Sequence, residues 1–160
     1  MSRTPGVRHT GPMPTDVPAN LSIVTLGVAD VARSARFYRD LGWEQRGDLA
    51  QGITWFKTSG SWLGLFGYDA LAEDTTLPPT PEPDLPAYRG ITLALNLVSE
   101  AAVDLAFARV HEMGGRIVKP AHRTEWGGYS GYFADPDGHL WEICHNPGFP
   151  LDDAGRIEIG

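Results

Sequence analysis

Several features that mark specialised classes of protein are missing from this sequence. It contains one cysteine, Cys144, so no internal disulfide can form, and we expect a protein of the reducing cytoplasm. No apolar run approaches the roughly 20 residues that a membrane-spanning helix needs. Residues 1–20 contain basic side chains but no apolar segment, so they do not resemble a secretory signal and suggest a disordered leader.

Positive charge is also scarce. The chain has 13 Lys and Arg residues against 20 Asp and Glu residues, which gives a formal net charge of -7. A protein that binds nucleic acid needs a basic surface to neutralise phosphates, and the sequence shows no such stripe. We therefore expect neither nucleic acid nor a membrane as a partner. With 42% hydrophobic residues, the chain can still form the core of one globular domain.

The first half of the chain predicts the element order β-α-β-β-β. Residues 21–28 are rich in β-branched side chains, as is typical of a strand. Asp30 can cap the start of a helix, and Gly42 can end it. Between these two residues, apolar side chains recur at the three- and four-residue spacing of one helix face. Three short strands are then predicted, at about 43–47, 52–58 and 61–67.

The second half predicts the same order. A strand is predicted over 90–97. It precedes a helix that Ser99 can cap and that runs to about Met113. Three strands follow the helix, at 116–120, 127–135 and 139–146. Between the halves, residues 75–89 contain five prolines, which is typical of a linker or surface loop. The predicted division is a leader over 1–20, module one over about 21–74, the linker over 75–89, module two over about 90–147 and an extension over 148–160.

Two stretches resemble one known family. "LGVADVARSARFYRDLGW" (26–43) and "GYFADPDGHLWEICHNP" (131–147) are similar to the vicinal oxygen chelate superfamily, which includes glyoxalases, bleomycin-resistance proteins and extradiol dioxygenases. The resemblance covers residues 21–147. It implies an α+β fold in which two β-α-β-β-β modules, in a pseudo-twofold arrangement, form an open, partly closed barrel around a ligand cavity. It also implies that the chain pairs as a homodimer, and that the cavity of many relatives holds a divalent metal.

Glu142 is the first candidate site residue. Period-two alternation places Leu140, Glu142 and Cys144 on one face of the last strand, with Trp141 and Ile143 on the other. The bulky pair should pack against helices, which directs Glu142 towards the cavity. A carboxylate in an apolar cavity needs a metal, a partner or a proton. The resemblance implies that Glu142 matches a carboxylate metal ligand of the superfamily.

The other ligand positions that the resemblance implies hold neither a histidine nor a carboxylate. Ile23 stands where a histidine is usual, and Thr92 is the nearest polar group where a histidine or glutamine is common. The strand over 61–67 has no titratable side chain where a glutamate is frequent. Because a stable site normally needs three or more converging ligands, we expect no metal centre of the family type. A new site for Zn, Mn, Ni or Fe could combine Glu142 with His122, which we expect in a loop over the cavity mouth.

Aromatic residues near the last two strands are the second candidate for ligand contact. Glu125, Trp126, Tyr129 and Tyr132 surround a Gly-Gly pair, and Trp55 could line the same cavity. Aromatic rings with polar groups hold flat or amphipathic molecules, and an acidic aromatic cavity suits a cationic or hydrogen-bonding aromatic ligand. The alternative is that the tyrosines alternate between core and surface while Trp126 covers a hydrophobic edge.

Three functions are compatible with these residues. The first is a metal-independent binder of a small molecule, such as an antibiotic-sequestering protein or a ligand sensor. The second is a metal-free enzyme in which Glu142 acts as general base. The third is a metal-dependent lyase, isomerase or dioxygenase of the glyoxalase type, in which the metal stabilises an oxyanion. The incomplete ligand set favours the first and places the third last. The sequence therefore leaves open whether the chain is an enzyme and which molecule it binds.

Overall fold

The structure, a computed structural model, describes residues 21–78 and 88–159. The predicted leader, residues 1–20, and the central part of the predicted linker, residues 79–87, lie outside the described residues. The described residues form two successive modules, and the division between them follows the predicted order of elements.

Module one begins with a strand and a helix, as predicted. Its elements are β1 (Ile23–Val28), α1 (Val31–Asp40), β2 (Gln45–Arg46), β3 (Ile53–Phe56), β4 (Trp62–Gly67) and α2 (Tyr68–Asp74). The Asp30 side chain accepts a hydrogen bond of 3.0 Å from the Arg33 amide, which confirms the predicted N-cap. Gly42 follows α1 with φ +94°, in the left-handed region that favours glycine at a helix end.

Module two repeats the arrangement. Its elements are β5 (Leu93–Asn96), α3 (Glu100–Glu112), β6 (Arg116–Arg123), β7 (Tyr129–Ala134) and β8 (Leu140–His145). Ser99 caps α3, since its side chain accepts a hydrogen bond of 3.2 Å from the Ala102 amide.

Each module builds one four-stranded mixed sheet with the same strand order. Sheet A has the order β1-β4-β3-β2, and sheet B has the order β5-β8-β7-β6. In both sheets the first and fourth strands of the module are parallel and the other pairs are antiparallel. This confirms the predicted α+β fold with two related modules. Within the described residues the two sheets stay separate, so the barrel is open.

One face of each sheet packs against the helices and forms the core. Helix α1 buries Phe37 and Tyr38, while α3 buries Phe107 on the side of sheet B. Phe133 and Trp141 stack with their rings nearly parallel at a centroid distance of 6.3 Å. These side chains belong to one hydrophobic cluster that joins both modules. The opposite face of each sheet is called its open face below.

A buried network of hydrogen bonds connects the two modules. The turn between β7 and β8 contributes Asp135, which accepts a hydrogen bond of 2.6 Å from the Tyr38 hydroxyl of α1. Asp137 accepts hydrogen bonds from the Ala29 amide at 2.8 Å, from the Arg33 guanidinium at 2.6 Å and from the Ser34 hydroxyl. The two carboxylates therefore bind helix α1 to the second module.

Helix α2 was not predicted from the sequence. It is only seven residues long and its N-terminus has no side-chain cap, so the usual sequence signals for a helix start are missing. It packs beside β1, because a Cβ atom added at Gly27 would lie 3.0 Å from the Tyr68 ring and 3.4 Å from the Leu71 side chain. Helix α2 therefore covers one end of the open face of sheet A.

The C-terminal residues fold back into a small hairpin closed by an isolated β-bridge between Leu151 and Ile157. Across residues 21–78 and 88–159, no helix combines the length and the apolar character needed to cross a bilayer.

Candidate functional site

Strand β8 presents Glu142 on the open face of sheet B. Its neighbours Trp141 and Ile143 are almost completely buried in the core, whereas Glu142 is half-buried on the opposite side. This is the alternation expected for a strand that packs on a helix with one face. The predicted packing of the bulky pair is therefore confirmed.

Two hydroxyl groups of β7 surround the Glu142 carboxylate. The Ser130 hydroxyl donates a hydrogen bond of 2.5 Å to Glu142 Oε1. Tyr132 is paired with Glu142 across the two strands, and its hydroxyl interacts electrostatically with the carboxylate. Burial, followed by the charge of Glu142, raises the pKa of Tyr132. The phenol therefore stays protonated at neutral pH and can act as a donor.

Cys144 lies on the same face, one step along β8. Its thiol is buried and donates a hydrogen bond of 3.1 Å to Asn96 Oδ1 on β5. Burial, and then the nearby Glu142 charge, raises the pKa of Cys144 to about 11. Because the thiolate is the reactive form, this thiol is not a nucleophile at neutral pH. Cys144 is therefore a structural residue of β8.

The structure corrects the placement of His122. This histidine was expected in a loop over the cavity mouth, but it lies within β6 and is paired with Ser130 of β7. Strand β6 continues beyond Pro120 because it is an edge strand, where a missing amide is tolerated. His122 is exposed and shares the open face with Glu142, but two strand spacings, roughly 10 Å, separate their backbones.

The remaining predicted contact residues are distributed over three places. Tyr129 lies on the helix-facing side of β7, where its hydroxyl donates a hydrogen bond of 2.9 Å to Asp104 of α3. Glu125 and Trp126 are exposed in the turn between β6 and β7, and the Trp126 ring covers Gly128. Trp55 lies on β3, on the open face of sheet A. Among all the aromatic and acidic residues predicted to contact a ligand, Tyr132 is the one that the structure places beside Glu142.

Sequence reasoning missed Ser130 as a partner of Glu142. It also missed Lys119, which is paired with Tyr132 and so stands on the same open face. Ser130 shares the period-two alternation of Tyr132 along β7, so the pattern that selected one residue could have selected the other. Lys119 was harder to find, because a bulge in β6 shifts the alternation between Lys119 and His122.

Comparison with known proteins shows the family to which the chain belongs. The sequence model of the Glyoxalase/Bleomycin resistance protein/Dioxygenase superfamily matches residues 20–143. The chain belongs to this superfamily. It is 27% identical, over 127 residues and 75% of each chain, to metallothiol transferase FosB from Shouchella clausii (strain KSM-K16).

Solved structures of the superfamily have the same fold. A glyoxalase-related enzyme from Fulvimarina pelagi is 32% identical and superposes with a TM-score of 0.79, covering 89% of this chain and 99% of its own. The lactoylglutathione lyase from Agrobacterium tumefaciens superposes with a TM-score of 0.60 at 22% identity. The superposition covers 82% of this chain and 96% of the lyase chain. This likeness concerns the fold alone.

The register of the sheets shows what occupies the position equivalent to Glu142 in module one. In sheet B, Glu142 is paired with Ala94 of β5, which lies five residues before the cap of α3. The matching residue of β1, five residues before the cap of α1, is Thr25, and its partner on β4 is Gly64. A glycine therefore stands where the pseudo-twofold arrangement would place a second carboxylate. A Cβ atom there would already lie 3.0 Å from the Thr25 hydroxyl.

These side chains do not fit the divalent metal that the superfamily commonly holds. Ile23 and Thr92 supply no imidazole, and Gly64 supplies no side chain. In the described part of the chain, no three His, Cys, Asp or Glu side chains cluster in a way that could hold a metal ion. Glu142 instead has two hydroxyl partners, which are weak ligands for first-row metals.

Proposed function

We propose that this member of the superfamily binds a small organic molecule on the open face of sheet B, with Glu142 as its polar anchor and without a metal centre of the family type. The observation that supports it most directly is the environment of Glu142. The side chains beside its carboxylate are the hydroxyls of Ser130 and Tyr132. A metal site would instead need further imidazole or carboxylate ligands beside it.

The chemistry of the anchor indicates the kind of ligand. An ionised carboxylate has about four sites that can accept hydrogen bonds, and the two hydroxyls use part of this capacity. The remaining lone pairs suit a donor group or a cation on the ligand. Tyr132 supplies aromatic surface on the open face of sheet B, which supports an aromatic or amphipathic molecule, while Trp55 supplies such surface on the open face of sheet A. Trp126, Tyr129 and Glu125 contribute less to this proposal, since they lie away from Glu142.

A metal-free enzyme is the second candidate function. Tyr132 keeps its proton at neutral pH and lies directly across from Glu142, so the pair could act as general acid and general base. The names of two relatives, a metallothiol transferase and a glyoxalase-related enzyme, describe enzymes and keep this alternative open. A metal-dependent reaction ranks third, because it would require ligands that Ile23, Gly64 and Thr92 do not provide.

We also propose that the chain forms a homodimer. Strands β1 and β5 are at the edges of their sheets, and apolar side chains close to both edges are exposed. They include Leu21 at 68%, Ile23 at 46%, Ile91 at 52% and Val98 at 74% exposure. A second copy could cover them. Sedimentation velocity at micromolar concentration should give the mass of a dimer, and a monomer would refute this part of the proposal.

The test of the binding proposal is a ligand screen followed by one substitution. Small aromatic amines and amphipathic antibiotics would be screened by thermal shift against the metal-free protein, and affinities measured by calorimetry. Glu142→Gln removes the charge with little change in shape, and we expect the affinity for a cationic ligand to fall at least tenfold. Glu125→Gln, in the exposed turn, is the matched control and should leave the affinity unchanged.

The same variants separate the two candidate functions. If a hit is turned over, and Glu142→Gln abolishes turnover while affinity changes less than twofold, the enzyme alternative replaces the binder. If Glu125→Gln weakens binding as much as Glu142→Gln does, the site is not on the open face of sheet B and the proposal fails.

A further inference from the structure

A crevice separates the two modules on the side of the sheets opposite to Glu142. It has a volume of about 190 Å³. Sheet A contributes Val24 and Leu63, and sheet B contributes Leu93 and Leu95. These residues alternate with those of the open faces, so the crevice is distinct from the site of the proposed function. It reaches the open faces at Ala94 of sheet B and at Trp62 of sheet A, which is paired with Ile23.

Three of the five tryptophans in the chain complete the walls of the crevice: Trp43, Trp62 and Trp141. Trp43 and Trp141 meet edge to face, with ring centroids 5.4 Å apart and an interplanar angle of 82°. The Trp141 indole nitrogen already donates a hydrogen bond of 3.1 Å to the Tyr38 hydroxyl. Trp141 therefore offers the crevice its ring and not its polar group, which suits contact with another aromatic ring.

The hydroxyl groups of the crevice are already hydrogen-bonded within the protein. Its described lining residues include no charged side chain, and its hydroxyls belong to Thr58 and Ser61. The Thr58 hydroxyl donates to the Ser61 carbonyl, and the Ser61 hydroxyl donates a hydrogen bond of 2.6 Å to the Leu21 carbonyl. A charged group that entered the crevice would lose its hydration without gaining a partner. The absence of a charged side chain among these residues therefore favours an uncharged occupant.

The volume limits the occupant to one ring. An apolar cavity of about 150 Å³ is enough to bind benzene, whereas pockets for drug-sized ligands measure about 300–1,000 Å³. We infer that the crevice between the modules is a second binding site, which takes a neutral single-ring aromatic molecule independently of Glu142. Its chemistry is complementary to the charged open face, where a donor or a cation is favoured.

The experiment uses three fluorinated probes and the full chain. Binding of fluorobenzene, 4-fluorobenzoate and 4-fluorobenzylamine would be followed by ¹⁹F NMR line broadening. We expect saturable binding of fluorobenzene with a Kd on the order of 1 mM or tighter, and binding of both charged probes at least tenfold weaker. Val24→Phe, which fills the crevice, should weaken fluorobenzene binding at least tenfold.

Matched variants distinguish this site from the site of the proposed function. Val118→Phe makes the same change on the exposed edge strand β6, away from the crevice, and should leave fluorobenzene binding unchanged. Glu142→Gln should also leave it unchanged, so failure of the open-face proposal does not affect this test. Leu95→Phe fills the crevice from sheet B, and it replaces Val24→Phe in the experiment if that variant unfolds.

Three results would overturn the inference. One is the absence of saturable fluorobenzene binding up to 10-fold above the expected Kd. Another is equal affinity for the neutral and charged probes. The third is a dimer that excludes fluorobenzene and that Val24→Phe dissociates, which would show that a second copy of the chain fills the crevice.

Discussion

The environment of Cys144 shows how a single side chain acquires its chemistry from its neighbours. Its thiol is buried next to Asn96 and close to the Glu142 carboxylate, and both burial and that negative charge disfavour a thiolate. The same carboxylate that could anchor a ligand therefore makes the adjacent sulfur unreactive. Cys144 contributes packing and one hydrogen bond to the site.

The reactivity of Cys144 can be measured directly. Its pKa of about 11, against an ordinary value of 9.0, reduces the thiolate fraction at pH 8 by about 100-fold. We expect the native protein to react with a chromogenic disulfide at least 100-fold more slowly than the urea-unfolded chain at the same pH. Equal rates in the two states would show that the thiol is accessible and ionised, contrary to this structure.

Single residues also show how far the sequence predicts the site. The position of Glu142 follows from the alternation of one strand, because Trp141 and Ile143 must face the helices. The position of Tyr129 does not follow in the same way. Ser130 and Tyr132 share the open face, but the hydroxyl of Tyr129 bonds to Asp104 of a helix that is 25 residues away in the chain. Sequence periodicity gives the face of a residue only after the packing side of its strand is known.

Strand β6 is longer than the sequence predicts. It was expected to end at Pro120 but continues to Arg123 through a bulge, and this continuation moves His122 from a loop into a sheet. Gly131 of β7 accommodates the bulge. A Cβ atom on Gly131 would lie 2.7 Å from both the Ala121 amide nitrogen and the Lys119 carbonyl oxygen.

Substitution of Gly131 tests the importance of this close approach. Gly131→Ala forces a methyl group against the backbone of β6, and we expect it to lower the free energy of unfolding by about 1–3 kcal/mol. Gly60→Ala is the matched control, because nothing lies within 4 Å of its added Cβ atom. Urea denaturation of both variants would measure the effect. Similar stabilities for the two variants would contradict the tight packing of β6 on β7.

Helix α2 could not be predicted with the same rules. Its seven residues begin after Gly67, which has no side chain to cap the first turn, and it is held by packing against β1 rather than by local signals. By contrast, α1 and α3 have capping side chains and apolar stripes, and both were predicted.

At the scale of the whole molecule, buried carboxylates hold the two modules together. Asp135 and Asp137 are in the turn of module two, and their partners Tyr38, Arg33 and Ser34 are all on α1 of module one. Burial, and then the charge of Asp135, raises the pKa of Tyr38 well above its usual value, so its phenol remains a donor across the normal pH range. The two stretches that carried the family resemblance are the two sides of this contact.

Loss of the Asp137 carboxylate should therefore weaken the molecule as a whole. Asp137→Ala leaves the buried Ser34 hydroxyl and the Ala29 amide without their acceptor, and we expect a loss of about 3 kcal/mol in the free energy of unfolding. Asp153→Ala, at an exposed position of the C-terminal hairpin, is the control and should change stability by less than about 0.5 kcal/mol. An equal effect of the two substitutions would refute the role of the turn as the junction.

The repeated module order was predictable from the sequence because each element carries local signals, and the shared core explains why two modules fold as one unit. The arrangement of the modules was not predictable. It depends on contacts such as Asp137 with Ser34, which are 103 residues apart in the chain. Local patterns contain no information about such pairs unless the family is already recognised.

The central claim is that Glu142 anchors a ligand without a metal, and metal binding tests it most directly. Protein purified without an affinity tag would be analysed for metal content, stripped with a chelator and titrated with zinc, manganese, nickel and ferrous iron. We predict no stoichiometric metal and no thermal shift with any of the four, since Ile23, Gly64 and Thr92 supply no imidazole or carboxylate. One equivalent of bound metal that is lost in Glu142→Gln would contradict the account.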